Sequence, residues 1–376
     1  PQLNNFIKAD PTHAELYQES KQRILAKQPQ AIAGNRHFWR SDYMVHHRDN
    51  YFTSLKMCSK RTVGMEMDIN TENLYGYYLP FGLTYIYRRG DEYQDVFPVW
   101  DWACLPGVTS PHHEFSSKGR SSHDVALVGG ESDSTYADST MQLDVKNTQA
   151  KKSWFWFDKE WVALGAGIQS KNDHPIVTGV NQARLVGDVF VDGIHFSSGN
   201  KTLENPCLVW HDSTGEREEQ LQKIFKLVAD SIYRSDLFSL WLEHGLQPEN
   251  ETYEYAVVTN CDPEELAVYA DDLPYQVLSN TPQIQAVSHS DLRITGIVFH
   301  EKGRISLADG LTVLVDKPCL LLVNQIENTI TVSDPTARLK QEEIKVKPAT
   351  SRRVTQIIKL PQDQLAGSSI TVKLGG

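Results

Sequence analysis

The residues with the most chemical potential lie together at Met65-Glu66-Met67-Asp68-Ile69-Asn70-Thr71-Glu72-Asn73-Leu74-Tyr75-Gly76. A carboxylate there can orient a neighbouring base or hold an arginine. A side-chain amide can donate to a substrate carboxylate and stabilise charge that develops beside it. The same composition also suits an Asx-rich turn between strands. A second group is basic: Arg36, Arg40, Arg48, Lys56, Lys60 and Arg61. Arginine forks grip carboxylate and sulfate groups, while an edge strand carries such charges to deter aggregation. A third is Phe97-Pro98-Val99-Trp100-Asp101-Trp102, followed by Leu105-Pro106-Gly107. Indole faces stack on sugars, or fill a β core. At least one of Trp100 and Trp102 is expected in the core.

Other constellations carry less. His46-His47 and His112-His113 are adjacent pairs, and neighbours on a strand face opposite ways, so neither pair can easily share a metal. His211-Asp212 has no serine in a Gly-x-Ser-x-Gly setting beside it. There is no P-loop and no GxGxxG fingerprint, so neither cofactor nor metal is expected. Five widely spaced cysteines without a CxxC pair read as mostly buried thiols.

The elements that position these groups are mostly strands. Asp10-Pro11-Thr12 with Glu15 predicts a helix start with a capping box, running to about Lys27 before Pro29. From Phe38 onward, short runs rich in Val, Ile, Tyr, Phe, Trp and Thr alternate with turn residues. Tyr51–Met57, Leu83–Tyr87, Ser153–Phe157, Trp161–Ala166, Tyr253–Val258, Ile294–Phe299 and Leu320–Val323 are predicted strands of an antiparallel all-β protein. Leu221, Ile224, Phe225, Val228 and Ile232 fall at helical spacing, so 218–234 is open to an amphipathic helix.

The chain has 376 residues, 40% hydrophobic and 23% charged, which excludes a mainly disordered chain. No apolar run is long enough to span a bilayer as a helix. The net charge of −11 argues against a general nucleic-acid binder. Charge is uneven. Residues 1–61 hold 10 Lys+Arg against 5 Asp+Glu, residues 276–376 hold 12 against 9, and the stretch between carries −19. An anionic ligand would be steered by a local patch. The charge reversal after Asp271-Asp272-Leu273-Pro274 suggests a boundary near 276.

Several ordered segments resemble the polysaccharide lyases of family 8, the chondroitin AC, hyaluronate and xanthan lyases. They are Ser41–Arg48, Ser59-Lys60-Arg61, Asn70–Gly76, Leu105–Thr109, Ala150–Asp158, Trp161–Ile168, His244-Gly245 with Pro248, and Tyr253-Glu254-Tyr255. Asp316-Lys317-Pro318-Cys319 is similar to the C-terminal domain of the chondroitin AC type. The resemblance implies an all-β fold: a large antiparallel supersandwich of the galactose-mutarotase type over 35–275, then a small β-sandwich over 276–376. Residues 1–34 would be a helical linker from an N-terminal (α/α) toroid that this chain lacks.

It also implies β-elimination on uronic-acid-containing glycans. A base takes the C5 proton, and the adjacent carboxylate must be neutralised. The family's catalytic His, Tyr and Arg lie on the toroid, and its β domain contributes a Glu and an Asn to the cleft rim. Asn70 matches that Asn. The family spacing E-x-x-N is one residue longer here, so Glu66, Met67 and Asp68 are the candidates for the Glu, with Glu66 taken first. Asn73, Arg48, Arg61, Trp100 and Trp102 are the expected substrate contacts. Asp101, Ala103 and His112 supply one carboxylate where some members hold calcium, so none is expected. The resemblance implies a secreted or periplasmic enzyme acting on an acidic polysaccharide. The alternative is a non-catalytic carbohydrate-binding or structural β module.

Overall fold

The computed structural model describes residues 2–26, 28, 33–69, 72–186, 232–259, 261, 263–307, 310–347 and 354–374, with strand pieces at 197–198, 201–202 and 217–220. Asn70, Thr71, Cys207 and His211-Asp212 lie outside the described residues.

Among the described residues, five antiparallel sheets of three or more strands lie in layers. The first pairs Gly34–Phe38, Tyr43–Arg48, Tyr51–Lys56 and Leu83–Tyr87 in that order. The second runs Glu251–Val258, Glu160–Ser170, Thr148–Trp156, Ala137–Val145 and Val128–Ser132. A three-stranded sheet of Leu237–Leu246, Pro175–Arg184 and Thr109–Pro111 completes the sandwich. Beyond residue 275 come a six-stranded sheet, Tyr275–Asn280 to Ile370–Lys373, and a four-stranded one that includes Thr312–Val315 and Val354–Lys359.

Side-chain alternation explains the layering. On the second sheet, Trp154, Trp156, Trp161 and Ala163 enter the main core with Met44, Leu55 and Val180. Their neighbours Phe155, Phe157, Val162 and Leu164 point the other way, against Val287, Ile294, Val298, Leu320 and Leu322 of the six-stranded sheet. That sheet sends Ala286, Ile297, Phe299, Leu321 and Val323 into a third core with Val313 and Ile358. Both middle sheets are covered on both faces, which is why Trp154–Phe157 and Cys319–Val323 read as continuous apolar runs. At about 1.5–3 kcal/mol per fully buried large side chain, the seam between the two middle sheets is strongly held.

Three local expectations change. The expected helix is Ala14–Leu25, preceded by a 3₁₀ turn at Pro11–His13, and no side chain caps it. Asp10 instead accepts hydrogen bonds from Tyr17 Oη at 3.0 Å and His13 Nδ1 at 2.8 Å, so the box at Thr12 is not formed. A second helix, Gln2–Ala9, precedes it, and another, Pro263–Asp271, precedes the six-stranded sheet. The helical spacing near 221 does not extend to the flanks: Arg217–Gln220 pairs antiparallel with Ile232–Ser235. Leu221, Ile224, Phe225 and Val228, which carry that spacing, lie outside the described residues.

Candidate functional site

Strand Tyr51–Lys56 leaves the first sheet into residues 57–82, and Leu83 brings the chain back beside Lys56. This long connection carries the carboxylate and amide cluster. Glu66–Met67 forms a short strand paired with Gly119–Arg120. Its alternation separates two candidates for the rim carboxylate. Glu66 is exposed, while Met67 is 1% exposed and faces the core. Glu66 Oε1 accepts from Arg120 Nη2 at 2.6 Å and Nε at 2.8 Å. Arg120 lies 54 residues away, and no local signal marks it as the partner.

Asp68 and Asn73 both have positive φ, 51° and 56°. Asp and Asn tolerate this region better than other non-glycine residues. Asp68 N–H donates to the carbonyl of Glu72 at 2.9 Å. Asn73 Nδ2 donates to the Glu66 carbonyl at 2.7 Å. Asn73 therefore ties the far side of the loop to the short strand. A Cβ on Gly76 would lie 2.0 Å from Asn73 Oδ1, so only glycine fits there. The Asx-rich turn lies beside an exposed Glu66.

The other expected contacts lie elsewhere. Arg61 is a structural clamp. Its Nη2 donates to Asp42 Oδ1 at 3.0 Å and the Val128 carbonyl at 2.6 Å, and its Nη1 to the carbonyls of Ala126 and Thr336. Arg48 donates to Asp158 Oδ1 at 3.0 Å and to the Thr135 carbonyl at 2.7 Å, over the Tyr136 ring. It sits at the end of the first sheet opposite the Glu66 loop.

Trp100 and Trp102 are both core residues, 0% and 3% exposed. Their Nε1 groups donate to the carbonyls of Gln182 and Phe97. Both indoles are covered by protein atoms in this structure, where the sequence reading expected substrate contacts. The aromatic density around them, including Tyr85, Tyr93 and Phe97, favours burial over display. Beside them, His112 Nε2 meets Asp101 Oδ2 at 3.0 Å, and that bond raises the imidazole pKa. His46 is structural: Nε2 donates to the Phe157 carbonyl at 2.7 Å, Nδ1 faces Asn35 Nδ2 at 3.1 Å, and burial pushes its pKa down to about 3. Among the described residues, no three His, Cys, Asp or Glu side chains form a metal-binding group.

Comparison with known proteins agrees with the fold. Residues 33–270 match the polysaccharide lyase family 8 super-sandwich domain, and residues 276–343 match the family's C-terminal β-sandwich domain. Chondroitinase-AC of Pedobacter heparinus is 35% identical over 363 residues, covering 89% of this chain and 51% of that protein. Hyaluronate lyase HylB of Enterococcus faecalis is 28% identical over 369 residues, covering 86% of this chain and 36% of its own length. A chondroitinase AC lyase of known structure, described from its oligosaccharide complexes, superposes with a TM-score of 0.85 at 30% identity over 98% of this chain and 59% of that one. The chondroitin AC lyase of Streptomyces coelicolor A3 superposes with a TM-score of 0.80 at 25% identity, over 93% of this chain and 50% of that one. The chain spans about half the length of the first of these relatives and less of the second. It belongs to polysaccharide lyase family 8, and the matched parts are that family's super-sandwich and C-terminal β-sandwich domains.

Proposed function

We propose that this chain forms the β wall of a lyase cleft that cuts uronic-acid-containing glycans of the chondroitin or hyaluronan type by β-elimination. The observation that carries this is the 35% identity to chondroitinase-AC across 89% of the chain. In this reading the catalytic His, Tyr and Arg come from an (α/α) toroid of the same parent chain, and the substrate is an acidic polysaccharide met outside the cytoplasm, in a secreted or periplasmic setting. The C5 proton is only weakly acidic, so the neighbouring carboxylate must be neutralised as the proton leaves. Asn70 would donate to that carboxylate. Glu66, held by Arg120, would orient the toroid's catalytic side chains, and Asn73 would keep the turn in place.

The test is the absorbance of unsaturated uronate product. The isolated chain should release almost none from chondroitin or hyaluronan, and a fusion to a family 8 toroid should release it steadily. Robust activity of the isolated chain would overturn the division of labour. Glycan binding without turnover in the fusion would favour a carbohydrate-binding module.

A further inference from the structure

At the end of the first sheet opposite the Glu66 loop lies a groove of about 1210 Å³ that the proposed chemistry does not use. Its lining includes Phe52, Tyr87, Arg88, Arg89, Asn181 and Arg184. We propose that this groove is a second binding site for acidic glycan, separate from the cleft rim; the inference rests on the reading of this chain as part of an acidic-glycan lyase.

The separation follows from the sheet. The groove touches Tyr51 and Tyr87, whereas the connection bearing Glu66 and Asn73 joins the sheet at Lys56 and Leu83. A strand rises about 3.3 Å per residue, which puts the two ends of Tyr51–Lys56 roughly 17 Å apart.

The charge arrangement selects an anion. Arg89 Nε donates to Asp91 Oδ1 at 3.0 Å, and Arg184 Nη1 donates to Asp91 Oδ2 at 3.4 Å. One carboxylate is thus shared by two guanidinium groups, and these arginines are 50% and 38% exposed. Each guanidinium has five N–H donors, so most remain available in a fork that suits carboxylate or sulfate. Two more carboxylates line the groove, Asp49 at its Arg48 end and Glu92. Glu92 is committed to the backbone: it accepts from the N–H groups of Arg88, Arg89 and Gly90 at 2.7–2.9 Å. These bonds hold the arginine-bearing turn in shape.

The rest of the lining suits a sugar ring. Phe52 and Tyr87 are half-buried, with ring centroids 5.9 Å apart. Tyr87 is braced by Tyr93 at 5.2 Å, and Tyr93 Oη donates to Asn181 Oδ1 at 2.8 Å. That leaves the Asn181 amide N–H groups as donors. Flat aromatic faces accept the C–H face of a pyranose. The volume exceeds the roughly 300–1,000 Å³ of small-molecule pockets, which fits a polymer segment better than a single sugar.

The experiment is calorimetric titration of the 376-residue chain with a chondroitin sulfate hexasaccharide, with neutral dextran as control. Wild type should bind the acidic oligosaccharide, more weakly as salt rises, and should not bind dextran. Arg89→Ala/Arg184→Ala should raise Kd about tenfold or more, the loss of one charge-assisted bidentate contact. Arg89→Lys/Arg184→Lys should fall between. No binding by wild type, equal binding of dextran, or an unchanged Kd in the folded double-alanine variant would overturn the proposal. The fate of the lyase reading is separate. Elimination by the toroid fusion with no groove binding defeats the groove alone, and groove binding without elimination defeats the lyase reading alone.

Discussion

Glu131 and Asp138 stand directly opposite each other on neighbouring strands of the second sheet, both wholly buried. Glu131 Oε1 accepts from the Asp138 N–H at 3.1 Å, and Asp138 Oδ2 accepts from the Ile297 N–H of the six-stranded sheet at 3.1 Å. The other oxygen of each has no hydrogen-bond partner. Burial drives both carboxyl groups well above their ordinary pKa values. The pair thus holds protons in the fold that it releases when unfolded. Its stabilising contribution is complete below the ordinary carboxylate range and is lost as pH rises toward the folded values, by at most about 1.4 kcal/mol per pH unit per proton. Glu131→Gln should therefore gain stability over wild type as pH rises from 5 to 8. Urea midpoints across that range check it, and a pH-independent difference would refute the account of protons held by burial.

The same seam explains Gly296. A Cβ there would lie 2.1 Å from Asp138 Oδ1. Gly296→Ala should destabilise by about 1–3 kcal/mol, as overpacking of a filled core does. Gly296→Ala with Asp138→Ala should recover part of that loss, measured as a double-mutant cycle in chemical unfolding.

Lys152 is fully buried, with Nζ donating to the Gly107 carbonyl, and burial pushes its amine down to about 7. A depressed amine pKa means the unfolded chain binds the proton more readily between about 7 and the ordinary 10.5. Wild type should gain stability relative to Lys152→Met across that window. Thermal midpoints at pH 6 and pH 9.5 test the sign.

Arg61→Ala should unfold the protein readily rather than weaken glycan binding. It strands Asp42, whose side chain is 0% exposed and which also accepts from the Ser59 N–H and Thr62 Oγ1. Removing one partner of a buried ion pair costs about 3–5 kcal/mol. Trp100→Ala should behave likewise, at about 3–5 kcal/mol. A variant of either kind that kept its stability but lost affinity would restore the expectation of substrate contact.

In the turn after Glu66, Asn73→Gly should keep the positive φ and Asn73→Ala should strain it, at about 1–3 kcal/mol of local cost. In the toroid fusion both lose the bond to the Glu66 carbonyl, but the alanine variant should lose more activity at equal global stability.

Much of the fold is legible in the sequence because its signals are local. The predicted strands Leu83–Tyr87 and Ile294–Phe299 coincide with those observed, since β-branched and aromatic runs bounded by turn residues need no distant partner to be recognised. The capping box at Thr12 is an equally local signal, and it does not govern the structure, because Asp10 recruits Tyr17. The resemblance to family 8, read from ordered segments spread along the chain, also needs only the sequence.

What tertiary structure alone decides is where each chemically capable side chain ends up. Type and spacing could not show that Trp100 and Trp102 face inward, that Arg61 clamps Asp42, or that Met67 is buried while Glu66 is exposed. Those outcomes depend on Gln182, Val128 and Arg120, brought from 54 to 82 residues away. Sequence carries the preference of a side chain for burial or charge pairing, and the layered sheets supply the partner that satisfies it. The opening cluster from Met65 to Gly76 is legible as chemistry, and its shape is set by a strand pairing across 54 residues.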